Sequence, residues 1–247
     1  MDRASVLVES GLAVPYWKLR DGPAAAAFRA LVDAAEQAIP ADRVLEVASD
    51  ATKAVYFVAS GWVTISRSTV EGHRQIIDFL LPGQLFDPRS ANEHQAFADL
   101  VTLTDARIAI IPHNAWHRVL QEHREIQHLL NRFAAAHTSR IAERMLRIGK
   151  GKADSRIAYA LCELCLRTCE TGLVNGTAFH IPLTQQVLGD FVGLSSVHVS
   201  RTFRRLKRQG ILSVGSHMDV LIHDAGKLAE IAEIDPADLR AEIITAA

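Results

Sequence analysis

The sequence predicts an α+β chain: an N-terminal antiparallel β-roll of jelly-roll type, a long helix suited to dimerisation, and a C-terminal winged helix-turn-helix. Three observations predict it. Short β-rich runs separated by regularly spaced turns fill residues 43–111. An apolar stripe at three- and four-residue steps then runs for about 25 residues. Finally, two helix caps flank a glycine turn between Thr184 and Gln209.

The 247 residues suit two compact units, and 49% hydrophobic with 22% charged residues is an ordinary globular composition. No apolar run approaches the roughly 18 residues that cross a bilayer. The first residues, Met1-Asp2-Arg3-Ala4-Ser5, lack a basic segment followed by an apolar stretch, so no export is expected. The three cysteines, Cys162, Cys165 and Cys169, are an odd set that points to reduced thiols and a cytoplasmic protein.

Ala24 to Ala38 reads as an amphipathic helix ending at Pro40. The strands follow: Val44 to Ala48, Val55 to Ala59, Trp62 to Ser66, Gln75 to Leu80, Leu100 to Leu103 and Ala106 to Ile111. Gly61, Gly72 and Gly83 recur at a constant interval and mark the turns between them. Asn114 to Gln121 gives a short helix, and Arg124 to Ile148 the long one, with Ile126, Leu129, Leu130, Phe133, Ile141, Met145 and Ile148 as its stripe. At about 1.5 Å per residue it spans nearly 40 Å, more than a small roll covers, so part of the stripe is expected to meet a second copy.

Gly149-Lys150-Gly151-Lys152 breaks the pattern. The expected organisation is therefore a roll over 1–120, the dimerisation helix and hinge over 121–150, and the helix-turn-helix unit over 151–247. In that last unit a helix capped by Asp154 or Ser155 runs to Cys169, a short strand or loop occupies Gly176 to Ile181, and a hairpin follows Gly210. Gly215-Ser216-His217-Met218 has the composition of a tag remnant, but it falls inside the hairpin pattern. Ala225 to Leu239 reads as weakly helical.

The segment that carries chemistry is Thr184 to Gln209. Thr184 caps a first helix with Val187, Leu188, Phe191 and Val192 on its apolar side. Gly193 supplies the left-handed turn, Gly189 permits a close crossing, and Ser195 caps the second helix. In that helix Val199, Phe203 and Leu206 fall on one side, and Val197, Arg201, Arg204 and Arg208 on the other. Net charge is only −1, yet Arg201, Arg204, Arg205, Lys207 and Arg208 stand against a single acid, Asp190, between His180 and Met218. A concentrated basic face on an otherwise neutral chain is what selective attraction of a duplex needs. Such a helix fits the major groove, with its first turns at base edges and later arginines near phosphates.

Ile181-Pro182-Leu183-Thr184-Gln185-Gln186, Gly193-Leu194-Ser195 and Val199-Ser200-Arg201-Thr202-Phe203-Arg204-Arg205-Leu206 resemble the helix-turn-helix of the CRP/FNR family of transcription regulators. Gly61-Trp62, Ile77-Asp78-Phe79-Leu80-Leu81-Pro82-Gly83 and Ile111-Pro112 resemble that family's effector roll. The resemblance implies a homodimer on a two-fold operator in double-stranded DNA, with RNA polymerase as a further partner if the protein activates. It implies DNA contacts from Thr184, Gln185, Ser195, Ser196, Val197, His198, Ser200, Arg201, Arg204, Arg205 and Arg208, with Arg201 on a guanine. Where many relatives carry Arg-Glu after the capping serine, this chain has Ser196-Val197, so a different operator is expected. Val197 suits a thymine methyl and His198 a base or a phosphate.

Relatives that bind cyclic nucleotides carry a Gly-Glu pair after the strand-ending glycine and a later Arg-Ser pair. Here Arg89-Ser90 sits near the first place, and Gln95 to Asp99 holds no arginine at the second. Arg89 and Ser90 are thus effector-pocket candidates, a cyclic nucleotide is disfavoured, and the effector is unknown. Iron–sulfur sensing would need cysteines near the N-terminus. Cys162, Cys165 and Cys169 instead read as a buried helix face, and His113 and His117 as surface residues, so no metal site is expected. Nothing resembles a nucleophile elbow, P-loop or dinucleotide fingerprint, so no enzyme is expected. A ligand-independent regulator whose roll makes only protein contacts remains an alternative.

Overall fold

The computed structural model describes residues 22–90, 94–170, 178–215 and 219–243. The tag-like run at 216–218 and the side chain of Cys169 lie outside the described residues. The chain divides into two compact units, Met1–Arg132 and Phe133–Ala247.

In the first unit, α1 (Pro23–Ala35) runs directly into β1 (Glu36–Ile39). Seven strands follow: β2 (Val44–Glu46), β3 (Ala54–Ser60), β4 (Val63–Ser68), β5 (Arg74–Leu80), β6 (Leu85–Phe86), β7 (Asp99–Thr102) and β8 (Ala106–Pro112). Two four-stranded antiparallel sheets result, ordered β1-β8-β3-β6 and β2-β7-β4-β5. This is the expected jelly-roll arrangement. Gly61, Gly72 and Gly83 all sit at positive φ, between 82° and 84°, where a Cβ is disfavoured. Gly61 is also tightly enclosed, since a Cβ there would lie 2.4 Å from the Asp105 carbonyl oxygen.

One apolar layer lies between the sheets, built from residues such as Val58, Ile65, Leu100 and Ile108. A second joins the outer face of β3 and β8 to Phe28, Val32, Trp116 and Ile126. Phe28 meets the Phe57 ring edge-on at 5.3 Å. Because β3 is covered on both faces, six of its seven residues are buried in succession, as expected of a strand between two layers. The helix expected through Ala38 stops at Ala35 because Gln37, Ala38 and Ile39 pair with Ile108, Arg107 and Ala106 on β8. Sheet pairing overrides local helix propensity there.

After α2 (His113–Glu122) comes the long helix α3 (Arg124–Lys150). Its stripe is divided. Ile126, Leu129 and Leu130 pack into the first unit, whereas Met145 and the neighbouring Leu146 are 70% and 52% exposed. Along the chain, the division between the two compact units falls within α3, between Arg132 and Phe133.

In the second unit α4 (Ala153–Glu170) precedes β9 (Ala178–His180), α5 (Gln185–Val192) and α6 (Ser196–Arg208). Then come β10 (Leu212–Val214), β11 (Asp219–Ile222), α7 (Ala225–Ala232) and α8 (Pro236–Ile243). β10 and β11 form an antiparallel hairpin, and β9 joins it through β11. Asp154 and Ser155, expected as caps, lie inside the first turn of α4. Asp154 has another task.

Candidate nucleic-acid interface

The two central helices are held by their own caps. The Thr184 hydroxyl accepts from the Val187 amide at 3.1 Å, and Ser195 Oγ accepts from the His198 amide at 3.4 Å. Each cap satisfies a donor that the helix itself leaves open. Between them Gly193 takes the left-handed conformation, with φ 67° and ψ 42°. Gly189 admits a close approach, but from the turn itself and not from α6. Its carbonyl accepts from the Leu194 amide at 2.9 Å, and a Cβ on it would stand 2.4 Å from the Leu194 carbonyl oxygen.

Val199, Thr202, Phe203 and Leu206 anchor α6 in the core. Val197, His198, Arg201, Arg204, Arg205, Lys207 and Arg208 are exposed. Gln185, Ser196, Val197, Ser200, Arg201 and Arg204 line one shallow groove. A second is lined by Thr184, Gln185, Arg204, Lys207, Val214 and Gly215, among others, so the hairpin flanks the helix as a wing. The remaining cations, Arg205 and Arg208, join Arg201, Arg204 and Lys207 along the helix. Neither α5 nor α6 has an acid in its first turn, which leaves the positive ends of both helix dipoles available to an anion.

The eleven sequence-predicted residues therefore lie together, with two divided roles. Among the described residues Arg201 and Arg208 have no side-chain partner, and Arg204 donates to Ser200 Oγ at 3.3 Å. Arg205 instead pairs with Asp154, which also accepts from the Thr202 hydroxyl at 3.2 Å. Arg205 thus links α6 to α4. His198 is folded back, its Nδ1 2.9 Å from Ser195 Oγ.

Two further groups escaped sequence reading. Arg156 donates from Nε to the Gly151 carbonyl at 3.0 Å and from Nη1 to the Gly193 carbonyl at 3.3 Å. One side chain thus ties the start of α4 to the turn before α6. Deeper in the unit, Glu163 is fully buried between Arg144 Nε at 3.2 Å and Arg167 Nη1 at 3.0 Å. Arg144 also stacks on the Phe191 ring of α5 at 4.8 Å, and Arg147 on Tyr159 at 4.9 Å. Helical spacing reveals Glu163 and Arg167 as an i, i+4 pair, but nothing local shows that both are buried.

In the first unit Arg89 is committed to Asp87, with Nε–oxygen distances of 2.9 Å, and its Nη1 lies 3.2 Å from His117 Nε2. The Ser90 amide donates to the Gln95 carbonyl at 2.7 Å. Burial alone would raise the Asp87 carboxyl, but hydrogen bonds and charge from Arg89 outweigh it and hold the pKa low. His113, at 3.5 Å from Asp87, is pushed down chiefly by burial. His113 and His117 thus neighbour a partly buried ion pair; His117 is exposed, as expected, whereas His113 is half-buried. Among the described residues no group of three or more possible metal ligands is found. Cys162 and Cys165 are half-buried, and burial pushes the Cys162 thiol up to about 12, far from a reactive thiolate.

No helix among the described residues is long and apolar enough to cross a membrane. The cyclic nucleotide-binding domain profile matches residues 36–123, and the Crp-like helix-turn-helix domain profile matches residues 155–231. The nitrogen fixation regulation protein FixK of Rhizobium meliloti is 30% identical over 173 residues, which cover 70% of this chain and 75% of that one. Its namesake in Azorhizobium caulinodans is 29% identical over 177 residues, 72% of this chain and 71% of that one. The structure of FixK2 from Bradyrhizobium japonicum superposes with a TM-score of 0.71 at 21% identity, covering 81% of this chain and 98% of that one. The chain belongs to the CRP/FNR family of transcription regulators.

Proposed function

We propose that the protein is a homodimer that binds a two-fold site in double-stranded DNA through α6. The observation that carries this reading is the outward face of that helix, where Val197, Arg201, Arg204 and Arg208 stand opposite Val199, Phe203 and Leu206. In this reading Arg201 takes a guanine bidentately, Ser196 and Ser200 reach base edges, and Thr184, Gln185, Arg204 and Arg208 hold phosphates. Ser195 and His198 set the entry of the helix, and Arg205 its angle. Exposed Met145 and Leu146 on α3 support pairing of two copies along that helix. The protein acts by binding and not by catalysis, in the cytoplasm, with RNA polymerase as a further partner if it activates.

Selection from a pool of random duplexes tests the reading. The expected product is a two-fold site with half-sites about 34 Å apart, bound about 10³-fold or more tightly than scrambled DNA. Sedimentation should give twice the monomer mass. A pool that enriches no sequence would overturn the proposal.

The effector acts, in this reading, by reorienting the helix-turn-helix about Gly149–Lys152. Such a turn must break or slide the Arg144–Glu163 pair, which ties the end of α3 to α4. Because Asp87 and His117 already engage Arg89, the ligand is not expected to be a cyclic nucleotide held by that arginine. Thermal stability measured against a panel of small molecules identifies a true effector by its stabilisation.

A further inference from the structure

We infer that Val197 reads the 5-methyl group of a pyrimidine in the major groove, so that the protein distinguishes methylated from unmethylated pyrimidine at one position of each half-site. The inference rests on the DNA-binding proposal above and adds a base preference to it.

Val197 is 56% exposed on the outward side of α6. It is the one large apolar residue of that helix left open, since Val199, Phe203 and Leu206 are buried. Neither the core nor the helix itself accounts for it, because a β-branched residue weakens a helix slightly. Around it, Gln185, Ser196, Ser200, Arg201 and Arg204 line the same groove, and none of them is a carboxylate. Cytosine presents an N4 amino donor in the major groove, and Val197 itself has no acceptor to offer it. Set against the two methyl groups of Val197, that donor would lose water and gain nothing. A 5-methyl group would gain an apolar contact instead. Valine holds a single preferred χ1 in a helix, so its methyls are already placed one turn before Arg201, the residue assigned to guanine.

Thymine and 5-methylcytosine carry that methyl at the same ring position, so both satisfy the contact. Unmodified cytosine and deoxyuridine do not. The effect expected is that of one buried methyl group, about fourfold in affinity.

The test uses the full-length protein and the duplex enriched from the random pool. Deoxyuridine replaces each thymine of the half-site in turn, and in a parallel series cytosine or 5-methylcytosine replaces it opposite guanine. At one position beside the guanine read by Arg201, deoxyuridine should weaken binding about fourfold and 5-methylcytosine should bind about fourfold better than cytosine. Val197→Ala should abolish both differences while its melting temperature stays at the wild-type value, as the site is exposed. A wild-type protein indifferent to deoxyuridine throughout the half-site overturns the inference, as does methyl discrimination that survives in Val197→Ala. Either result leaves DNA binding itself intact. Failure to enrich any duplex would instead overturn the DNA-binding proposal, and this inference with it.

Discussion

On α6, Arg201 and Arg208 extend outward with no partner among the described residues. In the same unit Arg140, Arg144, Arg147 and Arg167 are each nine-tenths or more buried. The difference follows from what surrounds each set. Glu163 sits between Arg144 and Arg167, Glu143 lies 3.0 Å from Arg147, and Tyr159 and Phe191 offer ring faces. Arg140 and Arg147 also donate to the backbone carbonyls of Ile243 and Glu233, at 3.3 Å each. The buried arginines hold α3, α4 and the C-terminal helices together, and Arg201 and Arg208 keep their donors for an external anion. Arginine suits both settings because its planar fork stacks and bonds at once.

Breaking the buried set should have the largest effect. Glu163→Ala leaves Arg144 and Arg167 inside without their shared carboxylate and should cost about 3–5 kcal/mol in urea unfolding. A cost below about 1 kcal/mol would mean that the cluster does not hold the unit. Gly189→Ala should come next. Its Cβ collides with the Leu194 carbonyl, and about 1–3 kcal/mol of overpacking strain is expected, visible as a lower melting temperature. Ser195→Ala removes the cap of α6 and should cost about 1 kcal/mol, with weaker binding to every duplex.

The smallest effects sharpen the contrast on α6 itself. Arg208→Ala should weaken binding to all sequences alike and reduce the slope of log affinity against log salt by about one. Arg205→Ala should leave that slope nearly unchanged, since Asp154 already neutralises this arginine. Its half-exposed ion pair contributes at most about 1 kcal/mol to stability. Equal slope changes for the two variants would return Arg205 to the DNA-contacting set.

Periodicity and caps made most of this architecture legible. Thr184, Gly193 and Ser195 each occupy the place that local rules assign, because a cap or a left-handed turn depends on its immediate neighbours. The strands covered by alternating or continuous apolar runs were legible for the same reason. β1 was not, since its pairing with β8 reaches across the whole roll while its own residues, Glu36-Gln37-Ala38, carry no strand signal. Arg205 and Arg208 look alike in sequence, and only the distant Asp154 separates them. The same holds for the Asp87–Arg89 pair, in which Asp87 meets His113 and Arg89 meets His117 through folding and not through spacing. Long-range pairing of charges is where reading along the chain ran out.

Binding of wild type and Arg201→Ala to the selected duplex and to a scrambled duplex, at one fixed salt concentration, tests the central claim most directly. The substitution should cost about 1–3 kcal/mol on the selected duplex, relax discrimination at one base pair, and leave scrambled DNA nearly unaffected. Equal losses on both duplexes would contradict it, reducing Arg201 to a phosphate contact and removing base reading from the outward face of α6.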